Sequence, residues 1–130
     1  MKTISKLHLY TGLLFLALFL FTGVYMILSF PELYRDNEAM RMMYRSTHIY
    51  ILMASLINIA IGTYFAPATS QRSIKFQKVG SCLVLISPFL ITVAFTLEPP
   101  MLALNRPLSF WGILFLLIGV IAHLFSKWGE

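Results

Sequence analysis

Four long apolar runs, separated by short polar segments and punctuated by proline, restrict what this chain can fold into. Each is long enough to cross about 30 Å of hydrocarbon, which takes roughly 20 residues of helix. They run from about Leu7 to Ser29, His48 to Ala66, Val79 to Leu97 and Leu108 to Ser126. Pro31, Pro67 and the Glu98-Pro99-Pro100 segment mark the ends of the first three, and Pro107 opens the fourth. Helix is the only open-chain structure that satisfies its own backbone in lipid, so all four runs are predicted to be helices. Short loops make successive helices antiparallel neighbours. Residues 1–130 are therefore expected to form a single transmembrane domain, an all-α integral membrane four-helix up-down bundle.

Composition agrees. Apolar residues make up 58% of the chain and charged residues only 12%, against about a quarter charged in soluble domains. Ten Lys and Arg against five Asp and Glu give a net charge of +5. The basic residues sit singly or in small groups between apolar runs, with no basic face to track phosphates, so nucleic acid is excluded as a partner and the lipid bilayer takes its place. The single cysteine, Cys82, lies inside an apolar run. Lys2 and Lys6 resemble the basic start of a signal peptide. The run after them exceeds the usual 7–15 residue core, however, and no small-residue cleavage site follows, so the first span reads as a retained helix.

Orientation follows from the loops. With the N-terminus inside, Lys2, Lys6, Arg72, Lys75, Lys78 and Lys127 are cytoplasmic, and Arg35, Arg41, Arg45 and Arg106 lie outside. Both termini are thus expected in the cytoplasm, and the membrane is expected to be a bacterial inner membrane. Trp111 and Trp128 are about 26 Å apart along a helix, matching two membrane interfaces. Tyr10 with Tyr25, and Tyr50 with Tyr64, bracket the first two spans in the same way. The longest loop, Phe30 to Thr47, contains Asn37 to Tyr44, which reads as a short interfacial helix.

Lipid does not drive helices together, so small and polar residues mark packed faces. On the first span His8, Thr11, Gly12, Thr22, Gly23 and Ser29 share a side, opposite Leu13, Leu14, Leu16, Leu18 and Leu20. His48, Ser55, Gly62 and Ala66 align on the second, with Asn58 beside them. Ser81, Pro88, Thr92 and Thr96 align on the third, and Ser109, Gly112, Gly119, His123 and Ser126 on the fourth. Every histidine falls on a face predicted to be inward. His8 follows Lys6 and His123 precedes Lys127, which places both at the cytoplasmic end; His48 lies at the opposite mouth.

Two inward imidazoles at one depth supply the axial nitrogens that a b-type haem needs. Gly12 and Gly119, one turn from each, would leave room for the macrocycle, with Lys6 and Lys127 near its propionates. The stretch Lys6-Leu7-His8-Leu9-Tyr10-Thr11-Gly12 through Thr22-Gly23 resembles the first helix of PepSY-associated transmembrane proteins and of bacterial cytochrome b561-type proteins. That resemblance implies a four-helix haem-binding core that passes electrons, and it carries His8 over as a haem ligand. Such families commonly hold two haems on four ligands; this chain has three histidines.

The remaining residues suggest structure. No carboxylate lies inside a span, and Glu98 reads as a solvated boundary residue. Serines 55, 81 and 87 have no base at helical spacing and read as packing residues. Asn58 reads as an interhelical hydrogen bond, and Met40, Met42 and Met43 as a loop's amphipathic face. Three functions stay open. The first is a non-catalytic accessory or assembly subunit bound to another membrane subunit. The second is a b-type haem protein ligated by His8 and His123 and exchanging electrons with a quinol. The third is an oligomeric small-solute transporter.

Overall fold

The computed structural model describes residues 2–128; Met1, Gly129 and Glu130, and the side chain of Lys2 counted above among the basic flanks, lie outside the described residues. Among the described residues the chain is four helices without a strand: α1 Lys2–Leu33, α2 Glu38–Tyr64, α3 Gln71–Leu97 and α4 Pro107–Trp128. All four are long and apolar enough to cross a membrane.

The helices outrun the apolar spans at their polar ends. The segment expected as a separate interfacial helix is the first part of α2 itself. Asn37 caps it, its side chain accepting from Met40 N at 3.0 Å, and no glycine or proline interrupts the path to His48. In the same way α3 starts at Gln71 rather than Val79, capped by Ser70, whose Oγ accepts from Ser73 N at 3.1 Å. α1 continues through Pro31 to Leu33. A proline so near a helix end removes one hydrogen bond where the turn is finishing anyway. α2 stops at Tyr64, leaving Ala66 exposed beyond it; Pro67 disfavours helical backbone in the residue before it. Hydropathy locates the apolar span, whereas caps and breakers locate the helix boundary.

Two antiparallel hairpins, α1–α2 and α3–α4, carry the most extensive contacts, and α2 against α3 joins them. Glycine makes each hairpin tight. A Cβ on Gly12 would lie 2.6 Å from Ile59 Cγ1, and one on Gly62 would lie 2.5 Å from Leu9 N. In the second hairpin a Cβ on Gly119 would meet Val84 Cγ2 at 2.6 Å and Gly80 O at 2.9 Å. Bare glycine carbonyls then accept from serines across the interface. Ser55 Oγ donates to Gly12 O at 2.8 Å, Ser5 Oγ to Gly62 O at 2.7 Å and Ser87 Oγ to Gly112 O at 2.8 Å. Dispersion at close backbone approach and these bonds hold the hairpins, as expected where hydrophobic burial gives no net drive. Ile51, Val84 and Ile91 fill the centre, with Phe15 of α1 edge-on to Phe89 of α3 at 4.8 Å. Thr96, expected on the inward stripe of α3, is exposed, and its hydroxyl donates to Val93 O within the helix. The backbones of α1 and α4 stay more than 8 Å apart, so that side of the bundle is closed by side chains.

Glu98 is not solvated; it is 2% exposed. Its Oε1 accepts from the backbone N–H groups of Leu108 and Ser109 at 2.7 and 2.9 Å, and its Oε2 from Ser109 Oγ at 2.5 Å. α4 begins with Pro107, and the residue before it, Arg106, has no acceptor side chain and a positive φ of 45°. The last residue of the α3 turn therefore supplies the oxygen that an ordinary N-cap would carry, and its charge suits the positive end of the helix. Arg106 lies 3.6 Å from Glu98 through Nε and donates to Ser46 Oγ and Thr47 Oγ1 on α2, both at 2.6 Å. One carboxylate and one guanidinium thus tie α2, α3 and α4 at this end.

Candidate functional site

At the other end of the bundle, the face between α1 and α4 carries His8 and His123. Their ring centroids are 6.0 Å apart with planes at 75°. The depth matching expected from the flanking lysines is present, and Lys6 and Lys127 are both exposed at this end. His8 is fully buried and His123 half-buried.

The protonation of His8 can be read from its neighbours. Asn58 Nδ2 donates to Ala54 O at 2.9 Å and to Val84 O at 3.2 Å, both carbonyls that only accept. The amide is thereby fixed with Oδ1 toward His8 Nδ1, 2.8 Å away. An amide oxygen accepts, so Nδ1 carries the hydrogen, and in the neutral ring Nε2 holds a lone pair. That Nε2 is buried and, among the described residues, has no hydrogen-bond partner. A ring nitrogen held through its opposite N–H by a fixed oxygen is how proteins orient imidazole ligands.

His123 is held differently. Its Nε2 shares a hydrogen bond with Ser81 Oγ of α3 at 3.1 Å, and Phe65 lies edge-on at 6.3 Å. Ser81 thus has an imidazole within reach, although no base lies at helical spacing along α3 itself. The base comes from another helix, and sequence spacing along α3 does not reveal it. Serines 55 and 87 are interhelical donors, as described above. His48 is separate from the pair: Thr22 Oγ1 donates to Phe19 O at 2.9 Å and accepts from His48 Nδ1 at 2.8 Å, and Phe19 stacks on the imidazole at 4.1 Å. Gly23 leaves the space that this ring uses, since a Cβ there would lie 3.3 Å from His48 Cε1.

The pair does not meet the needs of a haem. The two rings lie close together, 6.0 Å between centroids, in an edge-to-face contact. Gly12 and Gly119, the residues expected to leave room for the macrocycle, instead face Ile59 of α2 and Val84 of α3. The cavity beside His123 is about 270 Å³, lined by Ile61, Tyr64, Phe65, Gln77 and Lys127 among others. Ligand pockets usually occupy about 300–1,000 Å³. Ring spacing alone does not aim the nitrogens at one iron: His123 Nε2 is engaged by Ser81 Oγ at 3.1 Å, and the described side chains fill the space a tetrapyrrole would need. Among the described residues, no group of three His, Cys, Asp or Glu is arranged to hold a metal ion. Compared with known proteins, the chain matches no family model, no curated protein and no solved structure.

Proposed function

We propose that the chain is a multi-pass membrane protein acting as a non-catalytic accessory or assembly subunit, set in a bacterial inner membrane with both termini cytoplasmic. The observation that supports this is the use made of buried polar groups. Ser5, Ser55, Asn58, Ser87, Glu98 and Ser109 all bond backbone or side chains of a neighbouring element. Their chemistry goes into a rigid bundle, while α1 presents Leu20, Phe21, Ile27 and Leu28 outward. A photo-crosslinking residue at Phe21 or Leu28 in native membranes tests the reading. A discrete adduct with another membrane subunit is expected; lipid adducts alone would overturn it.

A second reading rests on the unpartnered Nε2 of His8 opposite His123: a haem b protein with these two axial ligands, the activity that the first-helix resemblance implies. Haem would supply one-electron chemistry. This chain's contribution would be the Nε2 lone pair, its orientation through Asn58, and Lys6 and Lys127 beside the propionates. Holding the macrocycle would need more room between α1 and α4, the neighbouring helices without close backbone contact among the described residues. Purified protein from haem-sufficient cells decides it. A Soret band lost in His8→Ala and His123→Ala but kept in His48→Ala supports haem; protein that stays colourless after haem addition rejects it.

A further inference from the structure

At the end of the bundle opposite the imidazole pair, the turn from α1 into α2 forms an open cavity of about 410 Å³ lined by Arg35, Asp36, Glu38, Arg41, Met42 and Arg45. We propose that this cavity binds the phosphate of an anionic phospholipid headgroup, with Arg41 and Arg45 as its principal ligands; the inference rests on the membrane reading and is independent of haem. The guanidinia of Arg41 and Arg45 lie over the same ring, Phe30, at 5.8 and 5.9 Å from its centroid. Two like charges held beside one ring repel each other, and an anion bridging them removes the penalty. Neither forms a salt bridge: among the described residues the ion pair formed is that of Arg106 with Glu98. Arg41 Nε is itself buried and, among the described residues, without a hydrogen-bond partner. Guanidinium offers paired donors that match phosphate oxygens.

The carboxylates of Asp36 and Glu38 share the cavity and carry acceptors only. They suit a headgroup whose phosphodiester also bears hydroxyl donors, as glycerol does, and they disfavour a bare, fully ionised phosphate. The location fits a lipid, since Ile27, Leu28 and Leu33 at the same end of α1 are exposed apolar side chains along which acyl chains lie. An arginine near a membrane surface contributes about fivefold to the binding of an anionic lipid.

The test uses the full chain in nanodiscs of mixed phosphatidylglycerol and phosphatidylcholine, with lipids retained after ejection read by native mass spectrometry. Retention of phosphatidylglycerol over phosphatidylcholine is expected, falling about fivefold in Arg41→Gln and again in Arg45→Gln. Arg72→Gln removes the same charge at the far end and is expected to change nothing. In a second set of nanodiscs, with phosphatidic acid in place of phosphatidylcholine, the parent is expected to prefer phosphatidylglycerol and Glu38→Gln to narrow that preference; a parent that prefers phosphatidic acid would overturn the headgroup assignment. A parallel titration with inorganic phosphate separates the sources. Phosphate binding that is lost in the Arg41 variant, without any lipid preference, would overturn the lipid assignment. Equal retention of both lipids, or the same loss in Arg72→Gln as in Arg41→Gln, would overturn the site. Protein that inserts into nanodiscs yet shows no preference fails this proposal alone and leaves the membrane reading intact.

Discussion

Replacing Glu98 probes the cap that one helix lends to another. In Glu98→Ala the N–H groups of Leu108 and Ser109 lose their acceptor, Ser109 Oγ loses the acceptor of its hydrogen while still accepting from Arg106, and Arg106 keeps its charge beside a vacated site. Loss of an N-cap alone costs about 0.5–2 kcal/mol. Breaking a buried charge pair by removing one partner costs about 3–5 kcal/mol. Both losses fall on the same carboxylate, so they overlap rather than add. Arg106 is partly solvated, which moderates the second, and about 3 kcal/mol is expected. Glu98→Gln keeps one oxygen for the two amides but removes the charge, and about 1–2 kcal/mol is expected from weaker hydrogen bonds. Unfolding in mixed micelles, titrated with dodecyl sulfate and followed by far-UV circular dichroism, measures both. Two variants within about 0.5 kcal/mol of the parent would show that Glu98 is no cap. A Gln variant as damaged as the Ala variant would show that charge rather than acceptor geometry matters.

Other substitutions test the packing and the topology. Gly119→Leu is expected to destabilise the bundle by about 1–3 kcal/mol or more, because even a Cβ there overlaps Val84 and the Gly80 carbonyl. Leu117→Ala, at a position 55% exposed, is expected to change detergent thermal stability little. Asn58→Leu removes the bonds to His8 and to the Val84 carbonyl; a loss of about 0.6–2 kcal/mol is expected in the same titration. With Cys82 replaced by Ser, an impermeant maleimide added to cells is expected to label Asn105→Cys and spare Gln71→Cys; the reverse pattern inverts the orientation.

Much of this fold is legible in the sequence because the membrane makes two demands that leave plain traces. Backbone satisfaction forces apolar runs of helical length, and close approach forces small residues onto one face, so Gly12, Ser55, Gly62, Gly112 and Gly119 were identifiable as packing positions. The depth of His8 and His123 could be read from their distance to Lys6 and Lys127. Contacts that depend on the rotation of one helix against another are not readable in this way. Ser81 meets His123 only once α3 and α4 are in register, and the glycines near the histidines turn toward α2 and α3 rather than across the bundle. Glu98 misled for another reason. A carboxylate beside two prolines at a span's end has the appearance of a solvated terminus, and only the path of the following turn brings it back to the N-terminus of α4.

The pairing of α1 with α2 and of α3 with α4 bears on how the protein is made. Each glycine-lined interface joins segments adjacent in the chain, so the first half has its principal partners as soon as α2 leaves the ribosome. The halves then meet through α2 and α3, where Asn58 reaches the Val84 carbonyl, and are locked by Arg106 reaching back to Ser46 and Thr47. Biogenesis can therefore proceed as two successive insertions followed by one lateral docking. A break in the connection between Tyr64 and Gln71 would divide the chain into two pieces, each retaining its own tightest interface.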